Sequence, residues 1–499
     1  MPIWAVVRNS ECFEFKILVC LFKWGFFLQK VLQKKIKDRT INRVTKIKGE
    51  EMLKKVLFLS AVFFVVNAQA KTLNEVLDYT YENSWSINAE RAGQRATDEG
   101  VAIAKSGFRP QVAGTASAGR SYNKNKYDYT PVKSEMYKNP NEVAVQVKQP
   151  VFSGFSTVQA VNAARSQVRA GRQNLARTEQ NVLLDAVAAY MDVVRDTAVL
   201  KLHVSNENVL KEHLKSYRKR YKVGDLTRTD VAQSEARSEG ATAARIAAEG
   251  NLKVSQANFF SVVGLSPEGL EDASEFKHSL PPTLDDAIEY AMEHNPAIKA
   301  AKYAKDAASY AVKSKKGELL PQVDMTAAAG RQHEQLTVDR GDYWQVKANL
   351  TMPIYSAGAD YASIRQARQN ENKSKILWDK TVQDVRANVI SAWEYYTASQ
   401  AQLASIESQI KASKMALDGV IREAKVGSRT VLDVLDAEQE HLNNQVSMVR
   451  THRDAIVAGY ALLAAIGRLN PTDLGLSVAP YDATAYYEDV KNKWLGYNI

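Results

Sequence analysis

Past residue 70 the chain has no cysteine; its only two, Cys12 and Cys20, lie upstream. A disulfide framework, thiol chemistry and a cysteine for lipid attachment are excluded from that part. A long apolar run is missing as well. Nothing past residue 70 approaches the ~20 residues that a membrane-spanning helix needs, so any crossing of a bilayer is made by strands. No Gly-rich phosphate loop, G-x-S-x-G or H-E-x-x-H is present, so neither an enzyme nor a cofactor is expected. Proline is also scarce: Gly154 to Lys222 and Ala357 to Lys425 contain none.

Excess charge is nearly absent from the main body too. Residues 1–70 hold 13 Lys and Arg against 5 Asp and Glu, which accounts for eight of the ten net positive charges. The near-neutral remainder removes the main support for a nucleic-acid partner. Met52-Leu-Lys-Lys is basic, Val56 to Val66 is a short apolar run, and Ala68-Gln69-Ala70 is an A-x-A site. That order predicts a secretory signal peptide at 52–70, cleaved after Ala70. Residues 1–51 read as an upstream segment from an early start, with Met52 as the true start, in preference to an unusually long basic n-region.

What the chain does have is itself, twice. Thr72-Leu-Asn-Glu-Val-Leu-Asp-Tyr returns 211 residues later as Thr283-Leu-Asp-Asp-Ala-Ile-Glu-Tyr, and Pro110-Gln-Val returns as Pro321-Gln-Val. After a deletion the offset becomes 203: Pro150-Val-Phe-Ser matches Pro353-Ile-Tyr-Ser, and Lys222-Val-Gly matches Lys425-Val-Gly. Such a register marks an internal duplication. We expect repeat 1 at 71–282, repeat 2 at 283–470, after the Pro281-Pro282 linker, and a C-terminal tail at 471–499.

Each copy reads as helix, strand, loop, strand, very long helix, tight turn, helix. Residues 72–107 suit a helix. A polar, Tyr-rich loop is expected at about 122–141 between two strands. In the second copy Trp344, Val346, Ala348, Leu350 and Met352 alternate with Tyr343, Gln345, Lys347, Asn349 and Thr351; Val143, Val145 and Val147 alternate with Ala144, Gln146 and Lys148. About ten residues of such alternation suit a membrane strand between lipid and water. The proline-free segments correspond to roughly 100 Å of helix each, the length of a coiled-coil or helical-barrel construction.

Four strands cannot close, and an open edge in lipid leaves backbone groups unpaired. Several chains are therefore needed. Two give eight strands, which side chains fill; three give twelve and a lumen. Gly114, Ala116, Ala118, Ala327 and Ala329 are read as small inner-face residues, which favours the open, trimeric barrel. The fold class expected is mainly α with a membrane β-barrel: an internally duplicated protomer of a trimeric 12-stranded barrel plus a long α-helical barrel.

Pro-Gln-Val opening the first strand, Pro-Val-Phe-Ser-Gly-Phe or Pro-Ile-Tyr-Ser-Ala-Gly closing the second, and Val-Gly-x-x-Thr-x-x-Asp-Val at the helical turns resemble the TolC family of outer-membrane efflux and secretion channels. The likeness covers the whole of 71–499, and Lys425 to Ala437 is its most specific stretch. It implies a homotrimer in the lipid of a Gram-negative outer membrane, with a periplasmic tunnel. It also implies docking to a periplasmic adaptor (membrane fusion) protein and an inner-membrane transporter, ABC or proton-driven. Ala-Thr-Asp-Glu-Gly-Val at 96–101 resembles members serving type I secretion or multidrug efflux.

The two turns carry the candidate site. Gly224 and Gly427 suit left-handed residues ending a helix, and Thr227-x-x-Asp230 and Thr430-x-x-Asp433 suit capping boxes starting the next. Capping alone would account for Asp230 and Asp433, but not for Asp436 one turn on; the first copy has Gln233 there. The resemblance implies an acidic ring of Asp433 and Asp436 at the tunnel mouth, where like charges would raise some carboxyl pKa values. It further implies closing contacts from Arg429 to Thr229 and Asp230 of the neighbouring hairpin. Ala424 stands where some members carry an aromatic, which leaves either a looser closed state or Arg422 in its place. Val223, Gly224, Val426 and Gly427 cap the end that would meet the adaptor. Two other readings stand beside this one. A soluble periplasmic coiled-coil scaffold is opposed by the alternating strands. A metal pair at Glu438-x-x-His441 has only Glu275-x-x-His278 for company.

Overall fold

The structure is a computed structural model that describes residues 71–126, 133–272, 276–334 and 340–497. The expected signal peptide, start site and Glu275 lie outside them. The first copy runs α1 (Leu73–Asn83), α2 (Trp85–Ser106), β1 (Gln111–Ala118), β2 (Ser121–Lys126), β3 (Lys133–Lys138), β4 (Asn141–Ser153), α3 (Ser156–Lys222) and α4 (Arg228–Val263). The second runs α5 (Leu284–His294), α6 (Pro296–Gly317), β5 (Gln322–His333), β6 (Arg340–Thr351), α7 (Ala359–Lys425) and α8 (Val431–Ile466), followed by the short α9 (Pro471–Leu474) and α10 (Ala485–Val490). None of the described helices is long and apolar enough to cross a membrane.

Two local expectations need correcting. The helix expected over 72–107 is broken: Ser84 leaves the helical region at ψ 126° and separates α1 from α2. Asn295 adopts the same angles before Pro296 in the second copy, where a proline pushes its predecessor out of the helical region. In the first copy Ser84 bends without one. The loop expected at 122–141 contains a two-stranded hairpin, β2 with β3, in which Tyr122 faces Tyr137 with ring centroids 4.7 Å apart. A cross-strand aromatic pair of this kind stabilises an isolated ribbon.

The main sheet is antiparallel in the order β1-β4-β5-β6. Opposed residues share a face, so the register assigns the faces directly. Gly114 pairs with Val145, Val145 with Ala329, and Ala329 with Trp344; Ala116 pairs with Val143, and Val147 with Ala327 and through it Val346. Gly114, Ala116, Ala327 and Ala329, with Ala118 in the same alternation, therefore lie on the apolar face with Trp344, not on the inner one. The opposite face runs Thr115, Ala144, Gly330, Tyr343 and Ala113, Gln146, Ala328, Gln345. It is polar with small residues of its own. Tyr343 donates to Glu142 at 2.7 Å, and Asn349 donates to Asp324 at 3.0 Å. A bulge at Pro150/Phe152, where proline supplies no N–H, turns β4 toward α3.

At the strand–helix junction Gly154 (φ +60°) and Gly317 approach so closely that a Cβ on either would lie 2.1 or 2.4 Å from the other's carbonyl oxygen. Only glycine fits both positions. From there α3 continues for 67 residues, with α2 packed on its first part and α4 on its last. The α4 end meets the α1 start beside the middle of α3. There Lys71 N–H donates to Gly269 at 2.8 Å, and the buried Tyr190 hydroxyl lies 2.9 Å from the Lys71 carbonyl and 2.6 Å from that of Glu271. Burial raises the Tyr190 phenol above its ordinary pKa. The largest apolar core surrounds this join, with Leu77, Ile87, Leu183, Phe259, Leu462 and Ile466 fully enclosed.

Tyr190→Phe removes a hydroxyl that ties both chain segments to α3, while the Lys71 carbonyl keeps its bond from Glu271 N–H at 3.2 Å. A loss of about 0.5–1.5 kcal/mol is expected, read as a lower denaturation midpoint. An unchanged midpoint would mean the hydroxyl ties nothing.

Candidate functional site

Both hairpins end by the same hydrogen-bond pattern. Gly224 (φ +82°) donates to Tyr221 at 3.0 Å and Asp225 to Arg220 at 3.0 Å; Gly427 (φ +81°) donates to Ala424 at 3.2 Å and Ser428 to Glu423 at 3.1 Å. These bonds satisfy the last carbonyls of α3 and α7 around a left-handed glycine. Threonine then starts the return helix. Thr227 Oγ1 accepts from Asp230 N–H at 3.2 Å while Asp230 Oδ2 accepts from Thr227 N–H at 2.9 Å; Thr430 and Asp433 do the same at 3.2 and 2.8 Å. The turns therefore leave Val223 and Val426 about 80% exposed at the tips. Tyr217, Leu210, Val431 and Leu435 bury themselves just behind.

Within the single chain the charges at the tips pair locally. Arg429 Nε donates to Glu423 Oε2 of its own hairpin at 2.9 Å. Thr229 and Asp230 receive nothing from it within the chain. At the equivalent place in the first hairpin Arg220 Nε donates to Asp225 Oδ2 at 2.6 Å. Each tip thus carries one short-range ion pair, with opposite charges at the matching positions 220 and 423. Asp436 is met by Arg237 of α4 at 2.5 Å, the one ion pair described here that joins the two return helices. Asp433 in the single chain is held by its own cap. Hydrogen bonds from the Thr430 backbone and hydroxyl hold its carboxyl below its usual pKa.

Glu438 and His441 do not converge. Glu438 binds His213 of α3 at 3.0 Å, whereas His441 Nδ1 lies 3.0 Å from Ser413 Oγ of α7. Among the described residues no three His, Cys, Asp or Glu side chains come together to hold a metal. Sequence reasoning missed Arg237, Glu423 and His213. Only one had a readable signal: positions 220 and 423, 203 apart, carry opposite charges.

His213 is the titratable link behind the tips. The Glu438 hydrogen bond raises its pKa above the ordinary value against an opposing effect of burial. A raised histidine stabilises the fold fully below its unfolded pKa of about 6.5 and loses that contribution as pH rises through the folded value. Wild type should therefore exceed His213→Gln in thermal midpoint at pH 5.5, with the gap closing in alkaline buffer. A gap that widened with pH would reverse the assignment.

Comparison with known proteins bears on this arrangement. The family model described as "Outer membrane efflux protein" matches residues 76–265 and 287–468. The chain is 40% identical over 443 residues to the outer membrane efflux protein BepC of Brucella suis, covering 88% of this chain and 95% of the relative. It is 23% identical to the proteases secretion protein PrtF of Dickeya chrysanthemi, covering 85% and 94%. Among solved structures, the CmeC outer membrane channel of Campylobacter jejuni aligns with a TM-score of 0.73 at 16% identity, over 84% of this chain and 89% of that one.

Proposed function

The chain belongs to the outer membrane efflux protein family, and from that premise we propose that three copies form an export duct whose hairpin tips dock a periplasmic adaptor. It is an outer-membrane channel protein of Gram-negative type rather than an enzyme. The observation that carries the trimer is the sheet. β1 and β6 each pair on one side only, and the sheet's apolar face carries exposed Val112, Val145, Trp344, Val346 and Leu350. Three copies bring twelve strands, enough for a lumen lined by the polar face. The long helices support the same reading. Twenty residues of α3 are buried but only six of α7, which leaves Ile376, Tyr395 and Met415 open for a neighbouring copy.

The tips lie at the far end of ~100 Å helices from the strands, so they face the inner membrane. Val223, Gly224, Val426 and Gly427 form the docking surface: an exposed valine on each rigid, left-handed turn gives an adaptor a pair of apolar anchors. The transporter behind the adaptor is ABC or proton-driven, and the cargo is secreted protein, drugs or both. The names of PrtF and BepC favour one service each.

The mouth is the gate. Asp433 and Asp436 line it and select cations, and the Arg237–Asp436 pair holds α4 and α8 together at rest. Closure moves Arg429 from Glu423 to Thr229 or Asp230 of the neighbouring hairpin, so Glu423 and Asp230 compete for one guanidinium.

Cysteines at Val223 and Val426 should crosslink to an adaptor, and cysteines at Tyr122 or Tyr137 should not; the reverse would invert the orientation. In planar bilayers Arg429→Ser should raise conductance, whereas Glu423→Gln, by freeing Arg429 for the latch, should lower it. Asp433→Asn with Asp436→Asn should weaken cation selectivity with the trimer intact. Unchanged selectivity in that double variant would reduce both acids to helix-building roles.

A further inference from the structure

Toward the turns the two hairpins meet where α8 rests on α3, and this seam is built largely from apolar layers. Nearer the tips Leu210, Tyr217, Ala241, Val431 and Leu435 form one buried cluster; farther back Val199, Ala248, Leu442 and Val446 form another. An acid and a histidine are set among them. His213 lies between Leu210 and Tyr217 on α3, and Glu438 lies between Leu435 and Leu442 on α8.

The pair is short and enclosed. His213 Nε2 and Glu438 Oε1 are 3.0 Å apart, and the Glu438 side chain is 9% exposed. The other carboxylate oxygen, Oε2, is buried and accepts no hydrogen bond from the described residues. Glu438 therefore holds its charge inside the seam on the strength of one partner. Tyr217, one turn along α3, has its ring centroid 5.7 Å from that of His213. The hydrogen bond to Glu438 raises the His213 pKa, burial opposes it and the Glu438 charge adds to it; no other described charge acts on the ring. On α4, Arg237 and Arg245 are engaged by Asp436 and Glu207, and α7 meets α8 through Ser413 and His441. The duplication does not account for the pair either. The places 203 residues away hold Ala416 and Glu235, and Glu235 is exposed and bound to Arg218 within the first hairpin.

We propose that His213 and Glu438 form a proton-controlled clasp that holds the second hairpin against the first. This rests on the reading of the tips as the mouth of the duct. A protonated imidazole compensates the buried carboxylate, and the seam stays shut. As pH rises and the imidazole proton leaves, the carboxylate remains in apolar surroundings with a neutral partner, and a buried charge without its counter-charge is strongly unfavourable. Parting the hairpins returns it to water, so the mouth tightens in mild acid and loosens in alkali. The transition falls above the ordinary histidine value of about 6.5, because the pair favours the charged ring. Asp433, whose carboxyl is held down by Thr430, stays ionised throughout that window.

Spin labels on Lys222→Cys and Lys425→Cys, at exposed matching places beside the two turns, report the separation of the hairpins by pulsed electron paramagnetic resonance in the reconstituted full protein. Singly labelled proteins supply the distances between copies. The separation should grow between pH 6 and pH 8.5, and single-channel conductance should rise with it. A tenfold difference in proton affinity between the shut and parted states would shift their ratio about tenfold across the window. His213→Lys keeps a charge opposite Glu438 and should hold the short separation at both pH values. His213→Gln with Glu438→Gln takes the charge from both sides and should remove the pH response. A response retained in either variant, or absent from the wild type, would overturn the clasp. Hairpins that part with pH at constant conductance would support the clasp and remove the mouth as the gate.

Discussion

Backbone N–H and C=O groups find no water inside a bilayer, and each one left unpaired there costs several kcal/mol. β1 and β6 carry one open row of such groups apiece, because the order β1-β4-β5-β6 places them at the two edges of the sheet. No rearrangement within one chain closes four strands. The need to pair those edges turns a duplicated sequence into an assembly, and the other features follow from it. The polar face must point inward, the apolar face must meet lipid, and the helices that continue from the strands must close a tube of their own.

The duplication is one of pattern more than of environment. α3 and α7 have the same length, the same left-handed glycine ending and the same capping box after it. Yet α3 is enclosed by α2, α4, α6 and α8, whereas α7 leaves much of its surface open. The tips differ in a similar way. Arg220 and Glu423 occupy matching places with opposite charge; Arg220 binds Asp225, whereas Glu423 binds Arg429, whose counterpart in the first hairpin is Leu226. A repeat that has lost charge symmetry at its tips can form heterologous contacts around a ring, the kind that closes a mouth.

Much of this was legible in the sequence because it rests on short-range rules. Glycine and threonine at fixed offsets foretell the turns, proline-free length foretells the helices, and two-residue alternation foretells the strands. What escaped depends on register or on tertiary partners. The assignment of Gly114 and Ala329 to the inner face failed because alternation alone does not say which face is which; pairing with Trp344 does. The break at Ser84 has no proline to announce it. The partner of Arg429 within its own chain, Glu423, was not foreseen. Asp436 found Arg237 across 199 residues, a distance no local pattern spans.

The most direct test of edge closure lies between β1 and β6 themselves. Since the chain past residue 70 contains no cysteine, a cysteine at Thr115 paired in turn with single cysteines along residues 341–349 adds the only thiols to that part. Oxidation in membranes should give a ladder of covalent dimer and trimer on denaturing gels, ending at three chains, for the pairs that fall in register. A scan yielding only monomer, or a ladder running past three, would contradict closure by three copies of this sheet.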